Sequence, residues 1–114
     1  MTLSESQRKF TFLIANLIQW VYNAGYELTF GEAWRTKEMA ELYFQQGKGI
    51  KNSLHIDRLA VDLNLFKDGK YLQNSEDYKP LGDYWKSLDP DAKWGGDFKK
   101  PDGNHFSLGW QGRE

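Results

Sequence analysis

The stretch that decides the fold is Ser53-Leu-His-Ile-Asp-Arg-Leu-Ala-Val-Asp-Leu-Asn-Leu-Phe66. From residue 59 onward, apolar residues alternate with small or polar ones, which is typical of a strand with one buried face. The core face carries Leu59, Val61, Leu63 and Leu65, and the other face carries Ala60, Asp62, Asn64 and Phe66. A carboxylate in such a strand needs a partner, because an unpaired charge is costly to bury. A metal ion is one possible partner for Asp62.

The composition describes one small domain, residues 1–114, with a nearly neutral charge. The formal charge is −1, from 15 basic and 16 acidic residues, so no global basic field is available to bind nucleic acid. The chain has no cysteine, which excludes disulfides, thiolate zinc sites and cysteine nucleophiles. Any metal must therefore be held by histidine nitrogen and carboxylate oxygen.

The N-terminal residues are polar and lack the apolar segment of a secretory signal. The longest apolar run is too short to span a bilayer. We therefore expect a monomer that is made in the cytoplasm and does not insert into membranes. If the substrate lies outside the cell, another protein must release the chain.

Periodicity and capping residues predict the other elements. Ser4 and Gln7 form a capping-box pattern at the start of the first helix. The predicted elements are a helix at 4–24, a strand at 26–33, a helix at 36–46 with Thr36 as N-cap, a loop at 47–52 without phosphate-loop spacing, a hairpin at Asp68-Gly69, a helix at 75–88 and a strand at 105–108.

Three residues are candidate metal ligands: His55, Asp62 and His105. Two imidazoles and one carboxylate form the ligand set of a catalytic zinc site that keeps one position open for water. Residues 55 and 62 would lie on opposite faces of a straight strand, so a bend between them is needed to bring them together. Structural alternatives stay open, because either histidine could be a hydrogen-bonded core residue and Asp62 could pair with Arg58 or Arg35.

A further carboxylate, Asp102, precedes His105 by three residues and lies in a turn with proline and glycine. Hydrolysis at zinc needs a base that takes a proton from water and later delivers it to the leaving amine. Asp102 could fill this role close to the metal without being a ligand. The alternative is that Asp102 serves only the turn, where aspartate is common.

Two separated motifs and a short third segment carry a resemblance to a known family. The motifs are Ser53-x-His55 with Ala60-x-Asp62, Trp94-Gly-Gly-Asp-Phe98 with Asp102-x-x-His105-Phe106, and the segment Trp34-Arg35-Thr36. Their order and gaps resemble those of peptidoglycan-cleaving zinc metallopeptidases. That family includes D-alanyl-D-alanine dipeptidases and carboxypeptidases and bacteriophage L-alanyl-D-glutamate endopeptidases. One departure is Arg58, where many members have glycine.

The resemblance implies a fold and a role for each matching residue. The fold would be a small α+β domain with an antiparallel sheet flanked by helices, similar to the Hedgehog signalling domain and to D-Ala-D-Ala peptidases. The implied roles are zinc ligation by His55, Asp62 and His105, general base and then acid for Asp102, stabilisation of the oxyanion or of a substrate carboxylate for Arg35, and substrate contact for Ser53 and Trp94.

The resemblance also implies an activity. Small size and the lack of a wall-binding domain are similar to phage endolysins, so we expect an L-alanyl-D-glutamate endopeptidase that cuts the peptidoglycan stem peptide after a holin opens the inner membrane. The alternatives are a D-Ala-D-Ala carboxypeptidase or dipeptidase, and a non-catalytic module that binds the wall through the same fold. A regulatory Ca²⁺ at Asp68, or at Asp89 and Asp91, is a further alternative, although neither has a recognisable loop register.

Overall fold

Three α-helices and five antiparallel strands form the fold in this computed structural model, which describes residues 1–50 and 52–114. Lys51, within the predicted loop at 47–52, lies outside the described residues. In chain order the elements are α1 (Leu3–Asn23), β1 (Glu27–Phe30), α2 (Lys37–Gln45), β2 (Ala60–Lys67), β3 (Lys70–Leu72), α3 (Lys79–Leu88), β4 (Ala92–Trp94) and β5 (His105–Leu108), with short 3-10 turns at Ser75–Tyr78 and Gly95–Asp97. The α+β class and the antiparallel sheet predicted from the sequence are confirmed.

The start of α1 differs from the prediction. Its capping box is formed by Thr2 and Glu5, not by Ser4 and Gln7: the Glu5 amide donates to Thr2 Oγ1 at 3.1 Å, and the Thr2 amide donates to Glu5 Oε1 at 2.8 Å. This choice places a carboxylate, which a neutral Gln7 cannot supply, at the positive end of the helix dipole. Gln7 has another partner, because its Nε2 donates to the Asp57 carbonyl at 2.7 Å.

Strand β2 lies at the centre of the sheet. Strand β1 pairs with one of its edges, whereas β5 and β3 pair with the two ends of the other edge. The predicted alternation is confirmed, since Val61, Leu63 and Leu65 are buried in the core while Asp62 is only partly covered. Strand β4, which is three residues long and was not predicted, completes the order β1-β2-β5-β4.

The core lies between the sheet and two helices. Helix α1 packs its apolar stripe on the Val61 face of β2 and against α3, where Trp85 is fully buried. The indole nitrogen of Trp85 donates to the carbonyls of Lys93 (2.9 Å) and Ser107 (3.1 Å), which ties α3 to β4 and β5. Asp62, on the opposite face of β2, is not part of this core.

Two smaller predictions can also be compared with the structure. The segment predicted as one helix at 75–88 begins as a 3-10 turn and becomes α-helical at Lys79, which places Pro80 in the first α-helical turn. The hairpin predicted at Asp68-Gly69 is present, with φ angles of 52° and 78°. Among the helices of the described residues, none is long and apolar enough to cross a membrane.

Candidate metal centre and active site

His55 lies in a tight turn that precedes β2. The amide of Ile56 donates to the Ser53 carbonyl at 3.1 Å, and the Leu59 amide donates back to the Leu54 carbonyl at 3.0 Å. The turn closes with Arg58 in the left-handed region, at φ 56°. This bend, predicted from the parity of residues 55 and 62, carries the His55 ring back to the open face of the sheet, where the residue is 3% exposed.

His105 reaches the same face through the register of two strands. Asp62 of β2 lies directly opposite His105 of β5, so their side chains share one side of the sheet. Asp62 Oδ1 lies 3.4 Å from His55 Nε2 and 3.7 Å from His105 Nδ1. One donor atom from each of the three residues lies within 4.8 Å of the others. The structure therefore brings together the three ligands predicted from the sequence.

The arrangement fits a zinc ion. Asp62 Oδ1, the atom that faces both imidazoles, is buried without a hydrogen-bond partner in the described part of the chain, a cost that native proteins seldom leave uncompensated. Ligands of tetrahedral zinc lie about 3.4 Å apart, which is close to the two separations found around Asp62 Oδ1. A set of two imidazoles and one carboxylate suits zinc better than calcium or magnesium.

The ionisation state of Asp62 also suits a bound cation. Burial by itself would raise the pKa of this carboxyl, but the neighbouring imidazoles of His105 and His55 outweigh that effect and lower the pKa from 3.8 to about 2. Asp62 is therefore ionised throughout the neutral range.

Asp102 lies in the turn that leads into β5. Its amide donates to the Gly95 carbonyl at 2.8 Å, and its own carbonyl accepts from the His105 amide at 3.1 Å. Its side chain is exposed at the surface, but nearby protein atoms still displace part of its water. This desolvation, together with repulsion from the negative charge of Asp62, raises the pKa of the Asp102 carboxyl above its usual value. The charges of His105, His55 and Arg35 act in the opposite direction. Asp102 is thus a carboxylate beside the three ligands but outside their group.

Two residues of the second motif hold the Asp102 turn in place. A Cβ on Gly95 would lie 2.0 Å from the Asp102 carbonyl oxygen and 2.7 Å from His105 Cβ, so only glycine fits there. Trp94 is 6% exposed, and its indole nitrogen donates to the Gly103 carbonyl at 2.7 Å. The substrate contact predicted for Trp94 stays a prediction, whereas its position in the structure is that of a support beneath the turn.

Arg35 lies beside His55. Its amide donates to the His55 carbonyl at 3.2 Å, and its guanidinium stacks over the Tyr43 ring with 5.0 Å to the centroid. The side chain is 13% exposed and forms an ion pair with Glu32, whose Oε1 accepts from Nε at 2.7 Å. Ser53, the other predicted substrate residue, is buried, and its Oγ accepts from the His55 amide at 3.2 Å.

Glu32 is a site residue that the sequence did not indicate. Beyond β1 the chain continues to pair with β2, since the Asp62 amide donates to the Glu32 carbonyl at 2.9 Å. The Glu32 carboxylate therefore reaches both Arg35 and His55, whose Nδ1 lies 3.7 Å from Oε1. A carboxylate on the far nitrogen of a metal-binding histidine orients the ring and increases its basicity. Its signal in the sequence, an acid three residues before Arg35, is too common to be informative.

The proposed calcium positions lie apart from this group. In residues 1–50 and 52–114, the three ligands above are the only group of three or more histidine or acidic side chains placed to share an ion. Asp89 pairs with Lys9, whose Nζ lies 2.5 Å away, and accepts from the Asp91 amide at 2.9 Å. A calcium role for Asp68, Asp89 or Asp91 therefore stays untested.

Comparison with known proteins agrees with this geometry. The sequence profile of a peptidase family described as D-alanyl-D-alanine carboxypeptidase, M15, matches residues 46–108, which is more than half of the chain. The L-Ala D-Glu endopeptidase ChiX of Serratia marcescens has a similar structure, with a TM-score of 0.74 and 19% identity over 93% of this chain and 85% of that chain. A VanY D,D-pentapeptidase variant from a VanB-type vancomycin-resistance cassette, in complex with Zn(II), has a TM-score of 0.59 and 17% identity over 88% of this chain and 70% of that chain. No curated protein sequence matches significantly.

The fold and the grouped ligands define a peptidase of the metal-dependent class. The chain belongs to the M15 family of zinc metallopeptidases that act on peptidoglycan.

Proposed function

We propose that this chain, as a single catalytic domain of residues 1–114, is a zinc-dependent L-alanyl-D-glutamate endopeptidase that cuts the stem peptide of peptidoglycan. The observation that carries the proposal is the open group of His55, Asp62 and His105 with Asp102 beside it. Three protein ligands leave a position for water, as in catalytic rather than structural zinc sites. A non-catalytic wall-binding module would have no use for a fourth, unligated carboxylate at this point.

The three ligands hold the ion, and Asp102 moves the proton. When bound, zinc supplies Lewis-acid activation of water and of the scissile carbonyl. Asp102 accepts a proton from the water whose oxygen bonds to the scissile carbonyl carbon, and it then donates that proton to the leaving nitrogen as the C–N bond breaks. The raised pKa of Asp102 makes it a better base than an ordinary carboxylate and a better carrier of the proton between the two steps.

Arg35 is positioned to meet negative charge that develops during the reaction. Glu32 and Tyr43 fix its guanidinium, so its remaining N–H groups are oriented before the substrate arrives. Donors that are fixed in advance stabilise an oxyanion without having to reorganise during the reaction. The same pairing partly neutralises Arg35, and this weakens it as a binding site for a free substrate carboxylate.

A row of amide side chains supports a peptide substrate. Asn104 Nδ2 donates to Asn64 Oδ1 at 3.2 Å, and Asn64 Nδ2 donates to Thr29 Oγ1 at 3.4 Å. Asn64 lies on the same face of β2 as Asp62, one side-chain repeat further along. The row keeps donors and acceptors free for the main chain of an extended peptide that passes the metal.

The proposal that the enzyme cleaves inside the stem peptide, not at its end, rests on the partners of the arginine side chains. Two guanidinium groups of this region, Arg35 and Arg113, are paired with the carboxylates of Glu32 and Asp57, and that of Arg58 stacks on the Trp34 ring. A carboxypeptidase needs a free cation for the terminal carboxylate of its substrate, whereas an endopeptidase does not. The fold similarity to ChiX points the same way. The second candidate is a D-Ala-D-Ala carboxypeptidase or dipeptidase, which the description of the matching family favours.

Mass spectrometry of the muropeptides released from purified peptidoglycan tests the proposal. Endopeptidase action frees peptides that begin with glutamate and leaves L-alanine on the glycan, whereas carboxypeptidase action releases only D-alanine. A chelator should abolish release, and added zinc should restore it. Release that resists the chelator would contradict the zinc mechanism, and wall binding without any release would favour the non-catalytic module.

The biological setting we propose is host-cell lysis by a phage endolysin, with release of the enzyme through a holin. It is supported by the resemblance of the chain's motifs to those of bacteriophage L-alanyl-D-glutamate endopeptidases. Expression inside a bacterium with and without a co-expressed holin tests it. Lysis should require the holin, and lysis without it would contradict this route.

A further inference from the structure

The segment Trp110–Glu114 folds back against both histidine-bearing parts of the site. Trp110 and Arg113 pair as an isolated antiparallel bridge, with N–O distances of 3.2 Å and 2.9 Å. Between them, Gln111 and Gly112 have φ angles of 51° and 77°, as in a tight hairpin turn. We call this segment the 110–114 turn. It follows both sequence motifs and has no role in the mechanism described above.

Glu114 contacts His105 through its main chain. The main-chain oxygen of Glu114 lies 3.1 Å from His105 Nε2 and also accepts from Ser107 Oγ. This oxygen carries no proton and can only accept, so the contact requires the proton of a neutral His105 to be on Nε2. The lone pair is then on Nδ1, the nitrogen that faces Asp62.

Arg113 contacts the turn that carries His55. Its Nη2 lies 2.5 Å from Asp57 Oδ2, and its Nη1 donates to the Asn52 carbonyl at 3.3 Å. Asp57 and Asn52 flank His55 on both sides along the chain. Two consecutive residues, Arg113 and Glu114, therefore hold the two segments whose imidazoles must converge.

We propose that the 110–114 turn is a positioning element of the metal site: Glu114 O fixes the Nε2–H tautomer of His105, and Arg113 fixes the position of the His55 turn. This inference rests on the proposed role of the two histidines as ligands. Outer contacts of this kind change metal affinity by about 10- to 100-fold when they are removed. Glu114 acts through a main-chain atom, so the residue type at position 114 does not matter, whereas Arg113 acts through its side chain.

The first experiment reads the tautomer in the metal-free protein. Long-range ¹H–¹⁵N NMR correlations distinguish Nδ1–H from Nε2–H imidazole at a pH where the ring is neutral. The wild-type protein should show His105 as the Nε2–H form. An Nδ1–H form would overturn the proposal, whether or not any variant folds.

The second experiment measures the zinc dissociation constant by competition with a chromophoric chelator. A chain that ends at Gly112 should lose the Nε2–H preference and bind zinc about 10- to 100-fold more weakly. Glu114→Ala, which keeps the main-chain oxygen, should bind as the wild type does. Arg113→Gln should weaken binding by less, under about tenfold, without altering the tautomer.

Thermal unfolding of each metal-free variant separates lost positioning from lost folding. Equal zinc affinity for the wild type and for a folded chain ending at Gly112 would overturn this inference while leaving the proposed function intact. A wild-type protein that binds no zinc would instead contradict the proposed function, and the tautomer measurement would still test the 110–114 turn.

Discussion

Replacing Asp102 by asparagine should remove most of the turnover while leaving the metal in place. The Asp102 main chain makes the contacts that hold its turn, to Gly95 and to His105, and asparagine preserves them. Within the described residues, the carboxylate itself makes no hydrogen bond and does not belong to the ligand group. The substitution therefore removes the proton acceptor and little else.

The expected changes in kcat and in the free energy of unfolding follow from this separate role of the Asp102 carboxylate. Loss of a positioned general base costs about 10²- to 10⁴-fold in kcat, which corresponds to about 2.7–5.4 kcal/mol in the activation barrier. The free energy of unfolding should change by less than about 0.5 kcal/mol apart from the charge effect, because the side chain is exposed and forms no contact that asparagine loses.

The charge effect has a definite sign. Because the pKa of Asp102 is raised in the folded protein, its ionised form destabilises the metal-free fold at pH 7, and this effect vanishes as the pH falls below the unfolded value near 3.8. Metal-free Asp102→Asn should thus be at least as stable as the wild type at pH 7 and should lose that advantage at low pH. Urea unfolding at several pH values measures it.

The assay pairs hydrolysis of a synthetic stem peptide with zinc content after dialysis. Asp97→Asn is a matched control, since Asp97 is an exposed aspartate of the same region that pairs with Lys86. The control should keep both turnover and zinc. An Asp102→Asn protein that retains more than about a tenth of the wild-type kcat would refute the assignment of the base. Loss of zinc together with activity would show that Asp102 is a ligand.

Two further predictions concern the fold that carries the site. Tyr78→Phe should lower the free energy of unfolding by about 2–4 kcal/mol in urea titrations, because the buried hydroxyl accepts from the Leu65 amide (2.9 Å) and donates to the Leu72 carbonyl (2.7 Å), and both would lose their partner. Arg58→Gly should be more stable than Arg58→Ala by about 1 kcal/mol, because both lose the stack on Trp34 and only glycine adopts φ 56° without strain. Equal stability of the two Arg58 variants would show that the turn is not strained.

The three residues of the candidate metal site could be picked out from the sequence because their chemistry is rare in this chain. There are only two histidines, and both lie near strand patterns whose non-core face is polar. The alternation around Asp62 indicated which face of the strand it would occupy. The odd spacing between residues 55 and 62 required a bend after His55. Arg58, with its positive φ, supplies that bend where a glycine is common in the family.

The rest of the site depends on pairing between distant segments, which the sequence pattern does not reveal. Glu32 joins the site because the chain after β1 stays paired with Asp62, and Glu114 joins it because the 110–114 turn folds back on β5. Trp94 was singled out through the motif, but its place beneath the Asp102 turn depends on a three-residue strand that is too short for a periodic signal. In each of these cases the partner is a main-chain group or a neighbouring strand, so the residue type carries little information.

The capping box shows a different limit. Both Thr2 with Glu5 and Ser4 with Gln7 match the pattern, so local sequence allowed two helix starts. The two helix starts differ in a distant contact, because Gln7 Nε2 donates a hydrogen bond to the Asp57 carbonyl of the His55 turn. A residue that matched the pattern of a cap therefore helps to hold the turn that carries His55, a candidate metal ligand.

The most direct test of the zinc mechanism is a zinc titration of the metal-free protein, followed by hydrolysis of a stem peptide at each step. Activity should rise in proportion to added zinc and saturate at one equivalent per chain. The variants His55→Ala, Asp62→Ala and His105→Ala should gain no activity at the same zinc concentrations. Full activity in the metal-free protein, or wild-type activity in any of these three variants, would contradict the zinc mechanism.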